Sequence, residues 1–126
     1  MLFVDDEPAL RSAMLAFGRL RRLAVTTAQD GSAALSFVRE LEFDVVVCDL
    51  RMPGMDGPAF FEVLSRECPS LASRTIFVTG DVVGEASRLF LDSTSQPVLS
   101  KPFEFEKLEE AILGLITQSQ EGALVR

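Results

Sequence analysis

At 126 residues the chain is expected to be one domain, long enough for a single buried core. Its 48% apolar content argues against disorder, while 19 acidic against 12 basic residues leave a net charge of −7. That balance disfavours nonspecific nucleic-acid or anionic-membrane binding, and the lack of any histidine excludes a histidine base, nucleophile or metal ligand.

Leu2-Phe3-Val4 reads as a short buried strand ending on Asp5-Asp6-Glu7, with Pro8 opening a helix where a missing N–H costs little. Ala9, Leu10, Ala13, Met14, Phe17 and Leu20 recur at helical spacing, and Arg19, Arg21 and Arg22 read as its solvated end. Leu23 to Ala28 is the second strand. Asp30-Gly31 makes a turn into a second helix marked by Ala34, Leu35, Val38 and Leu41. The third strand, Asp44 to Asp49, is an apolar run that stops on a carboxylate, followed by a loop with Pro53, Gly54 and Gly57. Ala59, Phe60, Val63 and Leu64 place a third helix that ends before Pro69. Thr75 to Thr79 is the fourth strand, stopped by Gly80-Asp81, and Val82 to Asp92 a weaker helix. Pro97 to Ser100 is a fifth strand before Lys101-Pro102-Phe103, and Phe105 to Ile116 a strongly amphipathic helix. The sum is a doubly wound α/β fold: five parallel strands with helices on both faces.

The domain is expected to span 1–117, with 118–126 a fraying tail. Cys48 and Cys68 build no disulfide framework, no run approaches the ~20 residues of a membrane helix, and no secretory leader is visible. A cytoplasmic location with no membrane contact is the expectation.

Ligands of such sheets bind beyond the carboxyl ends of the strands. Those ends carry Asp5 and Asp6, Asp49, Thr79 and Lys101. Three carboxylates in one place repel each other, and a divalent cation relieves that; oxygen-only ligands favour Mg²⁺, Mn²⁺ or Ca²⁺ over zinc. A phosphoryl group on Asp49 would need a metal, an ammonium and a hydroxyl donor around it, which gives Lys101 and Thr79 a shared purpose. Each residue alone has a plain structural explanation, such as a solvated helix start for the acidic pair. Their order at four strand ends does not.

Val4-Asp5-Asp6-Glu7, Asp49-Leu50-Arg51-Met52-Pro53-Gly54-Met55-Asp56-Gly57, Val78-Thr79-Gly80 and Lys101-Pro102-Phe103 together resemble the receiver domain of two-component response regulators. The resemblance covers almost the whole chain and implies a flavodoxin-like, CheY-like (βα)5 fold. It implies that Asp49 is the phosphoacceptor, taking its phosphoryl group from a histidine kinase or histidine phosphotransfer domain. Mg²⁺ would be held by Asp6, Asp49 and the Arg51 backbone carbonyl, with Asp5 acting through a metal-bound water. Thr79 and Lys101 would bind the phosphoryl oxygens. Such a domain is a phosphoacceptor with no kinase activity of its own, which would belong to a parent or partner chain.

One departure bears on signalling. Many receivers carry Tyr or Phe three residues before the lysine, where this chain has Val98, so a relay that passes its phosphoryl group on is favoured over a switch. The short first strand reads as a trimmed boundary. With Thr79-Gly80-Asp81, Val98 and Ser100-Lys101-Pro102-Phe103, it favours the receiver of a hybrid sensor histidine kinase over a free single-domain regulator. A phosphatase of the haloacid-dehalogenase type would need a second aspartate two residues after the nucleophile, where Arg51 stands. A pseudo-receiver would lack an essential group, and none is missing.

Overall fold

The computed structural model describes residues 1–80 and 84–125, with residues 118–125 described by their backbone alone. Five parallel strands, β1 (Leu2–Val4), β2 (Thr26–Ala28), β3 (Val46–Asp49), β4 (Thr75–Thr79) and β5 (Val98–Ser100), form one sheet in the order β2-β1-β3-β4-β5. The helices among the described residues are α1 (Pro8–Arg21), α2 (Gly31–Glu40), α3 (Gly57–Glu67), α4 (Pro69–Ala72), α5 (Glu85–Ser93) and α6 (Phe105–Val125).

The expected strands and their order along the chain are all present. Their alternation divides the core in two. Leu2, Val4, Val46, Cys48 and Phe77 pack on one face with Leu35, Phe60 and Leu64, while Phe3, Val47, Ile76 and Val78 pack on the other with Met14, Phe17, Leu108 and Ile112. Successive strand residues point to opposite faces, so a sheet covered on both sides needs uninterrupted apolar strands. β3 and β4 are buried along their whole length.

Several boundaries differ from the sequence reading. β2 starts at Thr26 instead of Leu23 because Arg22 takes a left-handed conformation (φ 56°) and Leu23 donates its N–H to the Gly18 carbonyl. Those residues finish α1 and cannot pair in the sheet. β3 starts at Val46, since the Asp44 carbonyl accepts from Arg74 Nε at 2.6 Å instead of joining the ladder. The short α4 follows Cys68, where no helix was expected; Pro69 sits at its first turn, where its missing N–H is harmless. The weak helix expected from Val82 is observed from Glu85, and 81–83 lie outside the described residues. α6 runs on to Val125, so no break in the backbone marks the expected boundary at 117.

Register is what builds the site. Val4 lies opposite Cys48, so the next residues, Asp5 and Asp49, leave adjacent strands side by side. Asp49 lies opposite Val78 and Thr79 opposite Ser100, which sets Thr79 and Lys101 one step further along the same rim.

Candidate phosphoacceptor and metal site

Asp49 ends β3 with its side chain only 8% exposed. Its Oδ1 accepts from the Arg51 backbone N–H at 3.2 Å, and its Oδ2 accepts from Lys101 Nζ at 2.9 Å. The loop that follows is fixed from both ends. Gly54 has φ +74°, a conformation that costs glycine little, and Asp56 caps α3 by accepting from the Ala59 N–H at 2.9 Å. Gly57 serves closeness rather than positive φ: a Cβ there would lie 2.6 Å from the Asp49 carbonyl oxygen and 2.8 Å from Leu50 Cα. The start of α3 therefore presses against the backbone of the acceptor residue.

Asp5 is almost wholly buried, at 1% side-chain exposure, whereas Asp6 is exposed. The Glu7 N–H donates to Asp5 Oδ1 at 2.9 Å. Asp5 Oδ2 lies 2.8 Å from Lys101 Nζ, an ionic contact outside hydrogen-bond geometry, and has no hydrogen-bond partner among the described residues. Carboxylate oxygens of Asp5, Asp6 and Asp49 fall within 4.8 Å of one another. A buried oxygen without a hydrogen-bond partner, beside two further carboxylates, is the donor set a hard divalent cation takes. The residues present therefore fit Mg²⁺.

Lys101 follows β5, and its backbone N–H donates to the Thr79 carbonyl at 2.7 Å, which ties the two strand ends together. Burial works against the charge on its ammonium, but contacts with Asp5 and Asp49 more than reverse that, and its pKa stands well above the ordinary lysine value. Thr79 is buried at the rim, with its hydroxyl donating to the Gly80 carbonyl at 3.3 Å rather than to Asp49. Among the described residues, a Cβ on Gly80 would meet nothing within 4 Å. Asp6, Glu7, Asp49, Arg51, Gly80 and Lys101 line a cleft of about 300 Å³.

The sequence-derived residues thus converge, except that the Thr79 hydroxyl is engaged elsewhere. Sequence reading quoted Glu7 in its motif without giving it a role, yet its Oε1 lies 3.2 Å from Lys101 Nζ. Its place beside the acidic pair was the available signal.

Burial raises the Asp5 carboxyl above its usual range; Lys101 and the Glu7 N–H act against that, and the charge of Asp49 adds to it. A raised folded-state value stabilises the fold below the unfolded value of about 3.9, and that contribution is lost as pH rises through the folded value. Asp5→Asn is therefore expected to raise the urea midpoint of the metal-free protein at pH 7, with the gain closing below about pH 4. A lower midpoint at pH 7 would mean that the ion pair with Lys101 outweighs the burial of Asp5.

Comparison with known proteins bears on what such a rim does. The response regulator receiver domain family matches residues 1–113. The chain is 32% identical over 111 residues to the transcriptional activator protein PfeR of Pseudomonas aeruginosa, covering 86% of this chain and 35% of that protein. It is 32% identical over 114 residues to the sensor kinase CckA of Brucella abortus, covering 89% of this chain and 12% of the kinase. It spans only a part of either relative. A response regulator receiver domain protein from Clostridium thermocellum superposes with a TM-score of 0.81 at 23% identity, over 94% of each chain.

Proposed function

Because the chain belongs to the response regulator receiver domain family of two-component systems, we propose that Asp49 accepts a phosphoryl group from a partner histidine, with Mg²⁺ bound at the same rim. The observation that carries this reading is the meeting of Asp5, Asp49 and Lys101 beyond the carboxyl ends of β1, β3 and β5, with Lys101 Nζ 2.8 Å and 2.9 Å from the two carboxylates.

An oxygen of the Asp49 carboxylate forms the new P–O bond while the P–N bond to the donor imidazole breaks, its electron pair leaving on nitrogen. Lys101 holds Asp49 in place before the transfer and offsets the charge gained by it. The Thr79 hydroxyl exchanges the Gly80 carbonyl for a phosphoryl oxygen. Asp6, Asp49 and the Arg51 backbone carbonyl would hold the metal directly, and Asp5 through water. Mg²⁺ when bound supplies positive charge to the transferring phosphoryl oxygens.

The test is incubation with acetyl phosphate and Mg²⁺ followed by intact mass. One phosphate adduct is expected with Mg²⁺, and a strongly reduced one when the metal is chelated. No adduct under either condition would overturn the reading.

The parent context favoured is the receiver of a hybrid sensor kinase acting as a relay. Val98, 38% exposed, lies opposite Phe77 where a switching aromatic ring is often found, and it offers no ring to move inward. Phosphorylation is then expected to leave amide resonances from Glu85 to Ser100 close to their starting positions. Large shifts there would favour a switch that repacks its α5 and β5 surface.

A further inference from the structure

Lys101 is more fully occupied than a phosphoryl-binding lysine can remain. Its Nζ lies 2.8 Å from Asp5 Oδ2, 2.9 Å from Asp49 Oδ2 and 3.2 Å from Glu7 Oε1. Two of its three N–H donors go to Asp49 and Glu7 and its remaining side faces Asp5 Oδ2, so a phosphoryl oxygen reaches an ammonium already surrounded by carboxylates. One partner must let go when the phosphoryl group arrives.

The three differ in how easily water replaces the lysine. The Asp5 side chain is 1% exposed, and a buried carboxylate that loses its cation is left costly and unpaired, while Asp49, 8% exposed, carries the incoming group itself and so keeps it beside Lys101. Glu7 is 59% exposed, has the longest contact of the three, and can be solvated at once. Glu7 and Lys101 also stand side by side in the wall of the acceptor cleft. We propose that Glu7 is a positioning residue that holds Lys101 as a placeholder in the unphosphorylated site and competes with the incoming phosphoryl group for it. The inference rests on Asp49 being the phosphoacceptor.

The consequence is a lowered apparent affinity for the phosphodonor. When only a fraction of molecules has Lys101 available, the half-saturating donor concentration rises by the inverse of that fraction. A partly exposed ion pair favours its closed form by a factor of about 1.4 to 5. Freeing Lys101 should then lower the half-saturating concentration about two- to six-fold. The maximal rate should not change, because Glu7 has already left in the loaded state.

The experiment measures initial labelling rates by intact mass at fixed Mg²⁺ over a range of acetyl phosphate, for the wild type, Glu7→Gln and Glu7→Asp. Glu7 makes no side-chain capping bond at the start of α1, so neither substitution removes a cap. The glutamine keeps the shape and loses the charge, whereas the aspartate keeps the charge on a stem one methylene shorter. Contact with Lys101 predicts that both variants lower the half-saturating concentration with an unchanged maximal rate. If only Glu7→Gln does so, general repulsion of the anionic donor explains the effect and the placeholder role is overturned. Wild-type kinetics in both variants overturn it as well, while leaving Asp49 as the acceptor. Absence of an adduct in the wild type removes the phosphoacceptor reading itself, and this inference with it.

Discussion

Asp49→Asn is expected to abolish the phosphoryl adduct formed with acetyl phosphate and Mg²⁺. The amide is a poor nucleophile and offers the metal one neutral oxygen in place of a carboxylate. The substitution is close to isosteric, and Asn Oδ1 can still accept from the Arg51 N–H, so the loop keeps its anchor. Labelling should therefore fall to background while the protein stays folded. Intact mass of the variant beside the wild type reads this directly. An adduct that persists in Asp49→Asn would place the phosphoryl group on another residue, and peptide mapping would say which.

Phe77→Ala is expected to have the largest effect on stability. The ring is fully buried in the middle of β4 and meets Phe61 of α3 at 5.2 Å and Phe90 of α5 at 4.9 Å, both edge to face. Truncating a buried phenylalanine costs about 3–5 kcal/mol, a large share of the ~5–15 kcal/mol that holds a domain together. The loss should fall unevenly. α5 has no fully buried residue and no side-chain cap, and Phe90 and Leu91 are its half-buried links to the core. Hydrogen exchange in α5 should accelerate more than in α3, whose Phe60 and Leu64 remain buried. Uniform acceleration across both helices would mean that α5 is anchored by contacts other than Phe77.

That aromatic cluster also qualifies what Val98 means. The valine removes a ring from β5, but Phe77 and Phe90 still connect the strand that ends at Thr79 to α5. A path from the acceptor rim to the α5 surface is therefore present in the packing. The amide-shift experiment on residues Glu85 to Ser100 tests whether phosphorylation uses it.

The strands and the carboxylates at their ends could be read from sequence because both are local signals. An apolar run that stops on Asp49, or on Asp5 and Asp6, marks a buried strand and its rim without knowledge of any distant residue. Three features needed distances between residues far apart in the chain. Lys101 lies 94 positions from Glu7 and 52 from Asp49, and only the parallel register brings both carboxylates to its ammonium. Gly57 reads as a flexible turn residue, whereas its function is to let α3 approach the Asp49 carbonyl. The Thr79 hydroxyl, expected to face the phosphoryl group, instead turns to the neighbouring Gly80 carbonyl. Periodicity determined which residues reach the rim of the sheet. Tertiary structure decided how they divide a single ammonium among them, because hydrogen bonds and ion pairs depend on tenths of an ångström that sequence spacing does not carry.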